Sequence, residues 1–99
     1  MISITQPAAQ WYIREMDLFE GDSIRFYVRY GGHSDIHRGF SLALSKGAAN
    51  NPAFSTEVLG ITFYVEESDA WYFADHHFHI KYKRKYDEVI YEFESKEKA

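Results

Sequence analysis

From Ser23 to Tyr30 the chain alternates without a slip. Ile24, Phe26, Val28 and Tyr30 take one face, Arg25, Tyr27 and Arg29 the other. A period of two is that of a β-strand with one face buried. The beat returns at Phe40, Leu42 and Leu44, with Ser41, Ala43 and Ser45 opposite. That second face carries only small side chains, so an element, the N-terminal helix being the candidate, is expected to pack close to it. Glu57 to Leu59 reads as a short strand, broken by Gly60, and Ile61, Phe63 and Val65 continue the alternation to Glu66. Phe78, Ile80 and Tyr82 mark another strand, and Val89 to Phe93 a last one.

Two stretches carry a helical beat instead. Thr5-Gln6-Pro7 reads as a helix start, since Thr5 can cap free amides and proline is tolerated in the first turn. Ala8 or Ala9, Tyr12 or Ile13, and Met16 then recur at helical spacing, which predicts a helix over about residues 6–17. Ser68 is placed to cap a short helix over about residues 69–73, with Trp71, Tyr72 and Phe73 as its apolar content. Lys46 to Pro52 reads as a flexible connection by composition, and Ser95 to Ala99 as a charged, frayed tail. The pattern predicts one mostly β, α+β domain over residues 1–99.

Composition changes this picture in three places. The chain of 99 residues has no cysteine, which removes a disulfide framework, a thiolate nucleophile and cysteine-ligated zinc. Aromatic residues make up 18%, more than a core of this size needs, so some Tyr or Trp either meet a second copy or form the rims of a β-rich surface. The net charge of −4, concentrated after residue 50, argues against a nucleic-acid partner. The N-terminal residues lack the basic and apolar segments of a signal peptide, and no apolar run approaches a membrane span. A cytoplasmic protein with no membrane partner is the expectation.

Candidate chemistry gathers in two places. The loop Gly31-Gly32-His33-Ser34-Asp35 through His37, Arg38 and Gly39 is dense in backbone freedom and polar groups. Its glycines can bring amides close to a ligand, and His33 and His37 could bind a metal or transfer protons. The plainer reading is a wide connection whose histidines face water. The second place is Asp75-His76-His77-Phe78-His79. If Phe78 and Ile80 point inward, His77 and His79 share the outer face and could chelate one divalent ion, with Asp75 joining from the turn. A solvated histidine cluster competes with that reading. The run Lys81-Tyr82-Lys83-Arg84-Lys85-Tyr86 reads as the outer face of a strand and its turn rather than a nucleic-acid patch. No nucleophile elbow and no phosphate-binding glycine pattern occurs.

The order of these segments resembles the HesB/IscA-like family of iron–sulfur cluster biogenesis proteins. An alanine-bearing helix (Ala8, Ala9) is followed by a strand leading into Gly31-Gly32-His33-Ser34-Asp35, where the family has Gly-Gly-Cys-Ser-Gly. Gly60-Ile61-Thr62-Phe63-Tyr64-Val65 is similar to its Gly-Val-x-Val-x-Val strand, and His79-Ile80-Lys81-Tyr82 follows as in its second half. The resemblance implies a compact fold of two packed, mainly antiparallel sheets with an N-terminal helix and a short second helix. It also implies an accessory role in iron–sulfur cluster assembly or iron handling, with iron or another divalent metal as cofactor. His33 stands where the family's loop cysteine would be, and the C-terminal cysteine pair is absent, so an intact cluster is not expected. The alternative is a non-enzymatic binding or regulatory domain with an unidentified protein partner. A small enzyme using His33 or His37 as general base ranks below both.

Overall fold

The computed structural model describes residues 1–32 and 39–96. In chain order these form β1 (Ile2–Ile4), α1 (Gln6–Met16), β2 (Ser23–Tyr30), β3 (Phe40–Lys46), β4 (Pro52–Val58), β5 (Ile61–Glu66), a 3-10 helix (Glu67–Phe73), β6 (His76–Lys83) and β7 (Glu88–Ser95). The strands make two sheets, one ordered β1-β6-β7 and one ordered β3-β2-β5-β4. Each sheet is mixed: β1 runs parallel to β6 and β2 parallel to β5, while β2–β3, β4–β5 and β6–β7 are antiparallel. The expected mostly β architecture with a helix at each predicted place is the one observed. No helix among the described residues is long and apolar enough to cross a membrane.

The alternation puts Ile24, Phe26, Ile61, Phe63 and Val65 of one sheet against Phe78, Ile80, Ile2 and Ile4 of the other. Aromatic rings bridge the layers. Phe26 meets Phe78 edge to face at 5.5 Å, and Phe73 packs at 5.0 Å from Phe78. Such pairs add to the gain from burying area alone. Thr5 caps α1 by accepting the Ala8 N–H at 3.3 Å, and Asp17 ends it in the left-handed conformation. The helix buries Ala8, Ala9 and Tyr12. The Tyr12 and Tyr91 hydroxyls share a hydrogen bond of 2.7 Å, and burial pushes both phenols above their ordinary pKa.

Four sequence expectations need correction. β1 was not foreseen, because three residues are too short to show a period and their parallel partner, Phe78 to Ile80, lies far along the chain. β4 is longer than Glu57 to Leu59; it begins at Pro52, with a register shift between Pro52 and Phe54 that lets a proline start the strand. The short helix begins at Glu67 rather than after Ser68 and has no side-chain cap. The helix α1 does not pack on Ser41, Ala43 and Ser45. It reaches Phe26 and Phe63 through Tyr12 on the opposite, inner face.

The connection after β3 is also not loose. It carries the chain from one edge of the four-stranded sheet to the other, crossing the outer face. The Gly47 N–H donates to the Ser23 carbonyl at 3.0 Å, and the Tyr64 hydroxyl donates to the Gly47 carbonyl at 2.7 Å. Farther on, the Glu66 carboxylate accepts the N–H groups of both Asn50 and Asn51 at 3.2–3.3 Å. Tyr64 and Glu66 are therefore buried although they lie on the outer face.

Candidate functional site

At the far end of the β2–β3 hairpin the backbone narrows into the glycine loop. Tyr30 and Phe40 are the last cross-strand pair, and the Gly31 N–H donates to the Gly39 carbonyl at 2.6 Å. Gly31, Gly32 and Gly39 all have positive φ, at 97°, 77° and 83°. At Gly32 the constraint is doubled, since a Cβ there would lie 2.8 Å from Ser41 Oγ. This close approach, with the positive φ, is the physical reason for glycine at position 32. His33, Ser34, Asp35 and His37 lie outside the described residues, so of the predicted binding loop only Gly31 and Gly32 are placed.

Beside the hairpin end stands an aromatic row that sequence reading did not assemble. The Tyr30 ring lies 5.8 Å from Phe40, Phe40 lies 5.3 Å from Trp71, and Trp71 lies 5.9 Å from Tyr72. Tyr30 is 91% exposed and Trp71 48%. The other end of the row is anchored, because Tyr72 is fully buried. Trp71 comes from the 3-10 helix, which Asp69 fixes to β2. β5 pairs with β2 only over Ser23 to Arg25. Beyond that point Asp69 takes over, pairing with Arg25 at 2.8 Å and accepting the Val28 N–H at 3.4 Å. Exposed tyrosine and tryptophan on a rigid support suit contact with another protein: large apolar area, few rotors to freeze, and a polar atom on each ring. The signal in the sequence was the 3-10 segment itself, whose apolar content, Trp71, Tyr72 and Phe73, divides between one outward and two buried rings.

His77 and His79 of β6 lie elsewhere, on the outer face of the three-stranded sheet. His77 and His79 do share that face, with ring centroids 6.2 Å apart. Both nitrogens of His79 are occupied: Nδ1 lies 2.6 Å from Ser3 Oγ, and Nε2 3.3 Å from Glu94 Oε1. His76 Nδ1 lies 2.9 Å from the Ala74 carbonyl, which ties it to the preceding turn. Asp75 sits in that turn with φ 64°. Among the described residues no three His, Asp or Glu side chains converge as a metal site would require. Lys81 pairs with Glu92 at 2.9 Å, and that ammonium draws the Glu92 carboxyl below its ordinary pKa. His79, Lys81, Glu92 and Glu94 line an open depression of about 640 Å³ on this face.

A Bacillus subtilis protein named pyruvate dehydrogenase inhibitor is 43% identical over 93 residues, covering 94% of this chain and 98% of its own. Proteins named only as uncharacterized are 33% identical over 93 residues in Staphylococcus saprophyticus and in Staphylococcus epidermidis, each over 91% of this chain and 95% of its own. No family model and no solved structure matches. These findings overturn the resemblance to the HesB/IscA-like family and the iron–sulfur role that it implied. The physical reason is plain in retrospect. A Gly-Gly loop and a Gly-Ile-x-Phe strand are generic β-protein features, and the three cysteines that give the family motifs their specificity are absent.

Proposed function

The chain belongs to the family of that Bacillus subtilis pyruvate dehydrogenase inhibitor, and from this premise we propose that it is a non-enzymatic regulator that binds pyruvate dehydrogenase and lowers its turnover. The observation that carries the reading is the 43% identity to the inhibitor over nearly the full length of both chains. The geometry supports it in kind. The described residues offer an exposed aromatic row on a pinned support, the surface type that docks on a protein. Tyr30, Phe40 and Trp71 form the contact, with the glycine loop beside them.

The experiment is a titration of the purified chain into pyruvate dehydrogenase, with pyruvate-dependent turnover as readout. Turnover should fall with dose and reach a plateau at stoichiometric excess, and the chain alone should leave pyruvate unchanged. Unaltered turnover together with no co-elution of the two proteins would defeat the proposal. Trp71→Ala and Tyr30→Ala should each weaken inhibition by roughly tenfold or more, the effect of removing an interface anchor. Tyr30, being exposed, should do so without loss of thermal stability. Full potency in both variants would move the contact to another surface.

A further inference from the structure

The four-stranded sheet has two edges, and they are not equally protected. β4 starts at a proline, is distorted there and carries Glu57. In the other sheet β1 has three residues, and β7 carries Glu88, Glu92 and Glu94. These are the ordinary devices that stop a sheet from adding strands. β3 has only Lys46, at its last position. Phe40-Ser41-Leu42-Ala43-Leu44-Ser45 holds no charge and no proline before Lys46, and no described strand pairs with its free side.

The register shows which groups are open. Gly31 with Gly39 and Ser23 with Gly47 are hydrogen-bonded pairs at the two ends of the β2–β3 ladder. Pairs alternate in an antiparallel ladder, so odd-numbered residues of β3 bond to β2. Phe40, Leu42, Leu44 and Lys46 turn their N–H and C=O groups to the free edge. The side chains of Phe40, Leu42 and Leu44 point to the core yet stay only half-buried.

We infer that β3 pairs antiparallel with β3 of a second copy, joining two four-stranded sheets into one across a two-fold axis at Ala43. The register that overlaps the whole strand sets Leu42 against the partner's Leu44, Ser41 against the partner's Ser45, and Phe40 against the partner's Lys46. The outward groups of Leu42 and Leu44 then become hydrogen-bonded pairs, and Ala43 meets its own copy in the narrow, non-bonded position. No like charges face each other. That matters for a chain of net charge −4, which would set carboxylates of two copies together at β7. The second copy also covers the half-buried leucines, as an isologous interface should.

Two substitutions test this. Ala43→Glu places carboxylates face to face at the axis, while within its own chain it lies across from Tyr27, between Arg25 and Arg29 on the neighbouring strand. Sedimentation equilibrium should show a concentration-dependent dimer for the natural chain and association roughly tenfold weaker for Ala43→Glu, with the same thermal midpoint at dilutions where both are monomeric. Ala43→Cys supplies the chain's sole thiol. Across the axis the Cα atoms would lie about 4.5 Å apart, within disulfide range. Mild oxidation should cross-link Ala43→Cys to a dimer faster than Ser55→Cys on the exposed outer face of β4. A natural chain that is monomeric at every concentration would overturn the inference. So would a dimer that survives Ala43→Glu and whose Ala43→Cys form cross-links no faster than Ser55→Cys.

Discussion

In the four-stranded sheet the buried carboxylates meet backbone amides; on the outside of the three-stranded sheet carboxylates meet side chains. Glu66 holds Asn50 and Asn51 by their N–H groups, and Asp69 holds Val28 by its N–H while pairing with Arg25. Across the molecule, Glu92 meets Lys81 and Glu94 meets His79. The first kind of partner is fixed by the chain and costs no rotamer freedom, so the carboxylate can be buried and can hold an irregular segment in place. The second kind is mobile, solvated and weak. The same residue type thus shapes the fold on one face and decorates it on the other. One of these fixed pairings, that of Asp69 with β2, also holds the 3-10 helix that presents Trp71.

This contrast can be broken most severely at Asp69. Asp69→Ala strands Arg25 and frees the Val28 N–H, and should lower unfolding free energy by about 3 kcal/mol in urea denaturation. It should also loosen Trp71, seen as a red-shifted fluorescence maximum and, under the function proposed above, as weaker inhibition of pyruvate dehydrogenase. Glu66→Ala should cost about 2 kcal/mol by releasing the crossing connection, with faster amide exchange at Asn50 and Asn51 as the local signature. If either loss were as small as that from Lys81→Met, the distinction between the two faces would fail.

A finer test uses acid. Asp22 and Glu92 both have depressed carboxyl pKa values, but the first cause at Asp22 is the Phe19 N–H, whereas at Glu92 it is the Lys81 side chain. A depressed folded pKa contributes stability that is intact above the ordinary carboxylate value and is lost as pH falls through the folded value. Lys81→Met should therefore return Glu92 toward its ordinary value in an NMR titration and leave Asp22 depressed. The smallest expected effect is on stability. At neutral pH Lys81→Met should leave the thermal midpoint within error of the natural chain.

The sequence made the inner surfaces legible. Ile24-Phe26-Val28 and Ile61-Phe63-Val65 declare their faces because burial on one side imposes the period of two, and Thr5-Gln6-Pro7 declares a helix start. What stayed hidden depends on partners distant in sequence. Asn50 and Asn51 look loose in composition, because the group that binds them, Glu66, is fifteen or more residues away. Ile2 to Ile4 gains strand character only from β6. Trp71 and Phe40 meet through tertiary packing, so an aromatic row that no local pattern predicts appears next to a loop whose glycines were evident at once. The family resemblance failed for a related reason: it rested on the order of local motifs, each of which any small β-protein can supply.

The parallel seat of β1 beside β6 has a consequence for the order in which this chain can assemble. The β2–β3 hairpin and β5 can pair as soon as they exist, but Ile2 to Ile4 must wait for residues 78–80. Until then Ile2 and Ile4, which end up buried, lack their partner strand. α1 is tethered to the same event, since the Thr5 N–H donates to the Ile80 carbonyl and the Trp11 and Arg14 side chains bond to Asp87 in the β6–β7 turn. The N-terminal segment can therefore reach its place only once β6 and the β6–β7 turn exist, a long-range pairing of the kind that slows folding. In a refolding experiment, protection at Phe78 N–H, which donates to the Met1 carbonyl, would be among the latest to appear.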